Sequence, residues 1–334
     1  MRSLRATLFA ITFSSALATF PDCDFDKDSQ PVGPYGPATF FNITYDGTVI
    51  YGLIPQGDGP FPLVGYMHGS TGEWGMYGAS LEHFASHGFV IVFPHIKSPD
   101  ADKHWWETNT DGKYLIKAIN WAVEQSALEG ADLFGKVDTN NIVYAGHSMG
   151  ATCSIKGSHS QLSDERVKLT ITQHPGICGP FGPPPSPATW MPSTLNDITV
   201  KHPVIFTTAT NDGAFWPAPH TAPHEYGCWQ KSMSEGSVSA FIQFSTAACT
   251  EDHARDPFPD GGHNCPMKTP DGGKPEMPWI LVALKLYAQH GGSLDSKCYS
   301  LLWGEESDSL RNSTWTDRVD LHPGMPKPDV ELLQ

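Results

Sequence analysis

The chain has no Cys-x-x-Cys pair, no internal repeat and no low-complexity linker. Past its N-terminus it also has none of the ~18 uninterrupted apolar residues that a bilayer-crossing helix needs. These absences argue against a cysteine-based zinc site, a solenoid, a pair of tethered domains and a helical membrane protein. Positive charge is scarce too: 21 Lys and Arg stand against 36 Asp and Glu, for a net charge of −15. Such a chain repels nucleic-acid phosphates and anionic membrane surfaces, so neither nucleic-acid binding nor stable membrane insertion is expected. Charged residues make up only 17% of the 334 positions and hydrophobic residues 39%, which excludes a disordered composition. A chain of this length can form one large α/β domain.

What is present begins with a leader pattern. Arg2 and Arg5 precede the apolar run Leu8–Phe13, and Ala16-Leu17-Ala18 has the small-x-small form of a signal-peptidase site. Residues 1–18 are therefore expected to be a signal peptide and the mature protein to be secreted. Phe20-Pro21 just past that point leaves plastid import through the secretory pathway as an alternative. The aspartates at 22, 24, 26 and 28 oppose it, because transit peptides are poor in acids. All seven cysteines follow the leader: Cys23, Cys153, Cys178, Cys228, Cys249, Cys265 and Cys298. In an oxidising compartment most should pair, and the odd number leaves at least one over. Cys153, which falls on a predicted helix at 150–158 and reads as buried, is the candidate. Asn42-Ile43-Thr44 and Asn312-Ser313-Thr314 are glycosylation sequons if the host is eukaryotic.

The periodicities alternate between strand and helix. Strands are predicted at 38–45 and 48–54 around the turn Asp46-Gly47, then at 62–67, 89–94, 142–145, 167–172, 204–208 and 238–244. Helices are predicted at 75–87, at 150–158, at 276–290, and after Asp111, a candidate cap, with the stripe Leu115, Ile116, Ile119, Ala122 and Val123. The prolines and glycines of 175–198 require a loop there, and Trp105-Trp106 falls in an irregular stretch. This order predicts an α/β fold, with a mostly parallel central sheet and helices on both faces. A single domain is expected over 19–304, followed by a polar surface tail at 305–334.

Gly146-His147-Ser148-Met149-Gly150 matches G-x-S-x-G, and its context matters more than the pattern. An apolar strand enters it and a helix-compatible run leaves it, as a strand-to-helix nucleophile elbow requires. Small residues at 146 and 150 would let the backbone turn sharply, and the helix N-terminus would favour developing negative charge at Ser148. A serine hydroxyl needs a base. His263, in Asp260-Gly261-Gly262-His263-Asn264-Cys265 between the last strand and the last helix, is the candidate, with His253 as rival. Asp212, on the turn after strand 204–208, is the candidate acid, with Asp256 and Asp260 as rivals. The oxyanion hole needs two backbone N–H groups. They are expected from Met149 and from Gly69 or Ser70, with Ser70 preferred.

With these residues placed, the chain resembles the α/β-hydrolase branch of chlorophyllases, cutinase-type polyester hydrolases and plasma-type platelet-activating-factor acetylhydrolases. The resemblance rests on His68-Gly69-Ser70, Phe84–Val90, Phe134–Thr139, the elbow, Asn211-Asp212 and His263-Asn264-Cys265. Segment 77–94 resembles chlorophyllases most, and segment 134–150 resembles bacterial cutinases. The resemblance implies an α/β-hydrolase fold and a cleft lined by Trp74, His147, Ile177 and Ala214, although Trp74 and Ile177 could equally serve packing. Those bacterial enzymes join a cysteine near the histidine to one just before the acid. Here position 209 is alanine, so Cys265 must find another partner, with Cys249, Cys228 and Cys298 as candidates.

The expected activity is that of a serine carboxylic ester hydrolase, working as a monomer on a small or polymeric hydrophobic ester. It would need no metal or organic cofactor. A chlorophyllase cleaving the phytyl ester of chlorophyll is an alternative, and a non-catalytic binding protein on the same fold is another. A metal-dependent hydrolase is disfavoured. His220 and His224 have i, i+4 spacing, but Pro219 and Pro223 oppose a ligand-presenting helix there.

Overall fold

The computed structural model describes residues 19–24, 32–69, 72–96, 112–160, 164–175, 200, 202–210, 212, 238–244, 263, 276–307 and 316–322. The leader, Asp111, Trp105-Trp106, the second sequon, Cys178, Cys228, Cys249 and Cys265 lie outside these residues, as does nearly all of the 175–198 loop.

Among the described residues, nine strands form one sheet in the order β1-β2-β4-β3-β5-β6-β7-β8-β9. They are β1 Thr39–Tyr45, β2 Thr48–Ile54, β3 Phe61–Met67, β4 Val90–His95, β5 Val137–His147, β6 Val167–Gln173, β7 Val204–Ala209, β8 Ser239–Phe244 and β9 Thr316–His322. Every pairing from β4 to β8 is parallel, and β1, β2 and β9 run antiparallel at the edges. The helices are α1 Trp74–Ser86, α2 Lys113–Ala127, α3 Met149–Ser160, α4 Met277–Leu284 and α5 Lys297–Trp303. This is the α/β-hydrolase fold that the resemblance implies.

Central strands covered on both faces must be apolar throughout. Accordingly β3 and β4 are buried at every position. Two core layers result. One packs α1, α4 and α5 against the sheet through Tyr77, Leu81, Phe84, Trp279 and Leu301. The other packs α2 through Leu115, Ala118, Ile119 and Ala122. Ile116 and Val123, expected in that stripe, are half-buried at its margin. A side chain at Gly65 would stand 2.6 Å from Ile119 Cδ1, so the absence of one lets α2 approach β3 closely.

Several elements depart from expectation. β5 begins at Val137 rather than 142. The N-cap of α2 is Gly112, at φ 80° and without a side-chain cap. The last long helix is α-helical to Leu284 and widens into a π-turn over Lys285–Gln289. The segment read as a surface tail instead supplies β9, which pairs with β8 from Ser239↔His322 to Phe244↔Thr316. Its polar sequence suits an edge, where only one side is covered.

Cys298 is not available to Cys265, because it is bonded to Cys23. Beside that bridge the Asp22 carboxylate accepts from the backbone N–H of Lys297 (2.9 Å) and the hydroxyl of Ser296 (2.8 Å). The segment around Asp22 and Cys23 is thus fastened to the start of α5. Cys153 is a buried thiol on α3.

Candidate active site

The elbow lies where β5 ends at His147 and α3 begins at Met149. Ser148 takes φ 56°, a left-handed conformation that costs a non-glycine residue roughly 1–3 kcal/mol. The flanking glycines permit this. A Cβ on Gly146 would run into the carbonyl of Gly150, and one on Gly150 into the carbonyl of Met67 on β3. The turn is held by the Ser148 N–H, which donates to the Gln173 carbonyl at the end of β6 (2.8 Å).

Parallel strands deliver the other two groups to the same edge. Asp212 follows β7, and its N–H donates to the Ala209 carbonyl (3.1 Å). His263 comes from the long connection after β8. His263 Nε2 lies 2.8 Å from Ser148 Oγ, although the two residues are 115 positions apart. His263 Nδ1 lies 3.0 Å from Asp212 Oδ1 and 3.2 Å from Oδ2. Asp212 is fully buried. Burial opposes its charge, but the His263 and His174 rings outweigh that and hold its carboxyl far below the usual carboxylate range. The structure therefore joins the three residues singled out by motif and strand position in one hydrogen-bonded line. The rivals His253, Asp256 and Asp260 lie outside the described residues.

His147, expected to line the cleft, is buried beside His263. It is 1% exposed, and both ring nitrogens serve the protein. Its Nε2–H donates to the carbonyl of His263 (2.7 Å). Its Nδ1 accepts from the Tyr77 hydroxyl (2.9 Å), which in turn accepts from the Gly69 N–H (2.9 Å). Burial, aided by the neighbouring His263 and His174 rings, pushes the His147 pKa well down, so the ring is neutral, as this pattern requires. His68 works similarly. Burial lowers its pKa to about 4, its Nδ1–H donates to the Gly69 carbonyl (2.6 Å), and its Nε2 accepts from the Ile96 N–H (3.0 Å). Two neutral histidines and a tyrosine thus fix both the backbone of His263 and the loop after β3.

That bracing bears on the oxyanion hole. The Gly69 N–H is taken by Tyr77, which leaves Ser70, outside the described residues, as the expected second donor. Met149 opens α3, where backbone N–H groups lack intrahelical partners. Trp74, expected either in the cleft or in packing, packs in tilted and edge-on contacts among Phe40 (5.4 Å), Tyr51 (5.7 Å) and Phe93 (5.4 Å). Ile177, Ala214, His220 and His224 lie outside the described residues.

Sequence reasoning missed what stands behind the acid. His174, just past β6 at φ 49°, is fully buried. Its Nδ1–H donates to Asp212 Oδ2 (2.9 Å) and its Nε2–H to Glu276 Oε1 (2.7 Å). Glu276, at the N-cap of α4, also accepts at Oε2 from Gln173 (2.8 Å) and Thr207 (2.8 Å). Tyr66 then donates to Gln173 Oε1 (2.7 Å). Burial opposes a charge on His174, but Glu276 and Asp212 raise its pKa to about 10. The available signal was two polar residues, Gln173-His174, at the end of a largely buried strand.

His174, Asp212 and His263 offer ligand atoms within 4.8 Å of one another, a spacing that could hold a metal ion. The donor chemistry points elsewhere. A metal ligand must present a lone pair, whereas both nitrogens of His174 carry protons toward carboxylates.

With the geometry in view, the comparison with known proteins becomes informative. Residues 46–168 match the chlorophyllase family. The match runs from the turn before β2 to the start of β6. It includes the elbow and stops before His174, Asp212 and His263. It is consistent with the chlorophyllase-type branch of α/β-hydrolases, and it implies a hydrolase of ester bonds. No curated protein matches the chain.

Proposed function

We propose that this chain is a secreted serine carboxylic ester hydrolase acting on hydrophobic esters, with Ser148 as nucleophile, His263 as base and Asp212 as acid. The observation that carries the reading is His263 Nε2 at 2.8 Å from Ser148 Oγ, with Asp212 on the opposite nitrogen. His263 takes the hydroxyl proton as Ser148 attacks the ester carbonyl. Met149 and Ser70 N–H groups hold the oxyanion. His263 then protonates the departing alcohol, and water attacks the acyl-serine with His263 again as base. Asp212 keeps the imidazole in the working tautomer and stabilises its cation.

Hydrophobic esters of cutinase type are favoured by the resemblance of segment 134–150. A second reading, cleavage of the phytyl ester of chlorophyll, is favoured by the family match over 46–168. Export is supported by the leader pattern and by a disulfide that begins five residues past the expected cleavage point, at Cys23. The working form proposed is a monomer. The test is a panel of short p-nitrophenyl esters, a polyester film, an acetyl phospholipid and chlorophyll, each with wild type and Ser148→Ala. The reading expects turnover of at least one ester, lost in the variant. Turnover that survives Ser148→Ala would overturn it.

A further inference from the structure

We propose that His174 and Glu276 are positioning residues, an imidazolium–carboxylate pair that anchors the far oxygen of Asp212 and sets the pH at which His263 becomes available as a base. The proposal rests on the esterase reading above and assigns a role to two residues outside the Ser-His-Asp set.

The geometry is restrictive. Both nitrogens of His174 face carboxylate oxygens, at 2.9 and 2.7 Å. A neutral imidazole has one N–H, so its second nitrogen would aim a lone pair at an anion. With both carboxylates ionised, only the imidazolium satisfies both contacts. Glu276 matches it, since Oε1 faces the ring while Oε2 accepts from Gln173 and Thr207. All three ionisable side chains have no solvent exposure. Burying two carboxylates and an imidazolium is costly, and apolar residues of similar size commonly stabilise a fold as well or better. Stability alone therefore gives little reason for the cluster.

Its effect on chemistry follows from where the charges sit. Among the described residues, the other titratable groups facing His174 are the rings of His147 and His263, each 6.0 Å away between centroids. His147 is neutral, and the Tyr66 phenol, which reaches Glu276 through Gln173, is held protonated by burial. His263 faces Ser148, Asp212, His147 and His174. A cation therefore stands directly behind the carboxylate that holds His263, with its counter-ion one residue further off. That arrangement tempers the pull of Asp212 on the proton of His263 while locking the carboxylate in place.

Glu276→Gln tests this, because it keeps shape and removes charge. His174 then gives up its proton, still donates from Nδ1 to Asp212, and accepts the new amide at Nε2. Asp212 faces His263 with no cation behind it. The acidic limb of the kcat/KM profile should move up by about one pH unit, with KM changed less than about threefold. A limb that stays in place or moves down would overturn the proposal. Wild-type protein gives a second measurement that needs no variant. In ¹⁵N-histidine spectra at pH 8, one ring should keep both N–H protons, and finding none would also overturn the proposal. Fluorophosphonate labelling separates the two levels. Wild type that fails to label at Ser148 sinks the esterase reading and this one together, whereas labelled wild type with an unmoved limb sinks this one alone.

Discussion

At the residue scale, the site depends on side chains held in one protonation state by burial. Tyr77 is the simplest case. Its hydroxyl accepts from Gly69 and donates to His147, so one oxygen ties the loop after β3 to the backbone of His263. Tyr77→Phe leaves the Gly69 N–H without its acceptor, at roughly 1–3 kcal/mol for a buried group. Steady-state kinetics should show kcat reduced roughly tenfold, less than the ~10²–10³ lost when an oxyanion donor itself is removed. Unchanged kcat in a folded variant would mean that the loop is held by other contacts. Ser148, Asp212 and His263 were legible because a motif and strand order mark them. The bracing role of His147 was not legible, because it depends on Tyr77, 70 positions away. His174 and Glu276 escaped notice because their contact spans 102 positions, and the polar pair Gln173-His174 does not by itself say what it faces.

At the element scale, the site is an outcome of close packing between β3, β5 and their helices. A Cβ on Gly65 of β3 would stand 2.6 Å from Ile119 and 2.9 Å from Leu115, both on α2. Gly65→Val should force α2 outward and destabilise the protein by roughly 1–3 kcal/mol, read as a lower Tm in thermal unfolding. An unaltered Tm would show that α2 can shift at no cost. The buried strands were visible in sequence because a strand covered on both faces must be an apolar run, as FVIVFP at 89–94 is. β9 was not visible, since an edge strand can be polar and its pairing with β8 is long-range. The extra turns of β5 before Ile142 were missed for a related reason. Asp138 and Asn140 look like a loop, yet Val137 and Asp138 pair with Phe61 and Pro62.

At the scale of the whole molecule, the buried histidines make stability depend on pH in two directions. His68 titrates at about 4 in the fold, against an ordinary value of 6.5. Below pH 6.5 the unfolded chain takes up a proton that folded His68 refuses, so stability falls as pH drops from 6.5 toward 4, by up to ~3 kcal/mol for this residue. His147, displaced in the same direction, adds to the loss. His174 behaves oppositely. Its raised pKa contributes stability that is fully present below 6.5 and is lost as pH rises toward about 10. The Tm measured across pH 4 to 10 should therefore peak near neutrality and fall on both sides. A Tm that rises steadily toward pH 10 would contradict the charged state of His174.

The central claim is that one buried hydroxyl becomes a nucleophile because His263 and Asp212 activate it. The most direct measurement is peptide mapping by mass spectrometry after treatment with a fluorophosphonate probe, with His263→Ala alongside wild type. The account predicts a single adduct on the peptide containing Ser148, formed at least several hundredfold more slowly in the variant. An adduct elsewhere, or equal labelling rates in the two proteins, would contradict it.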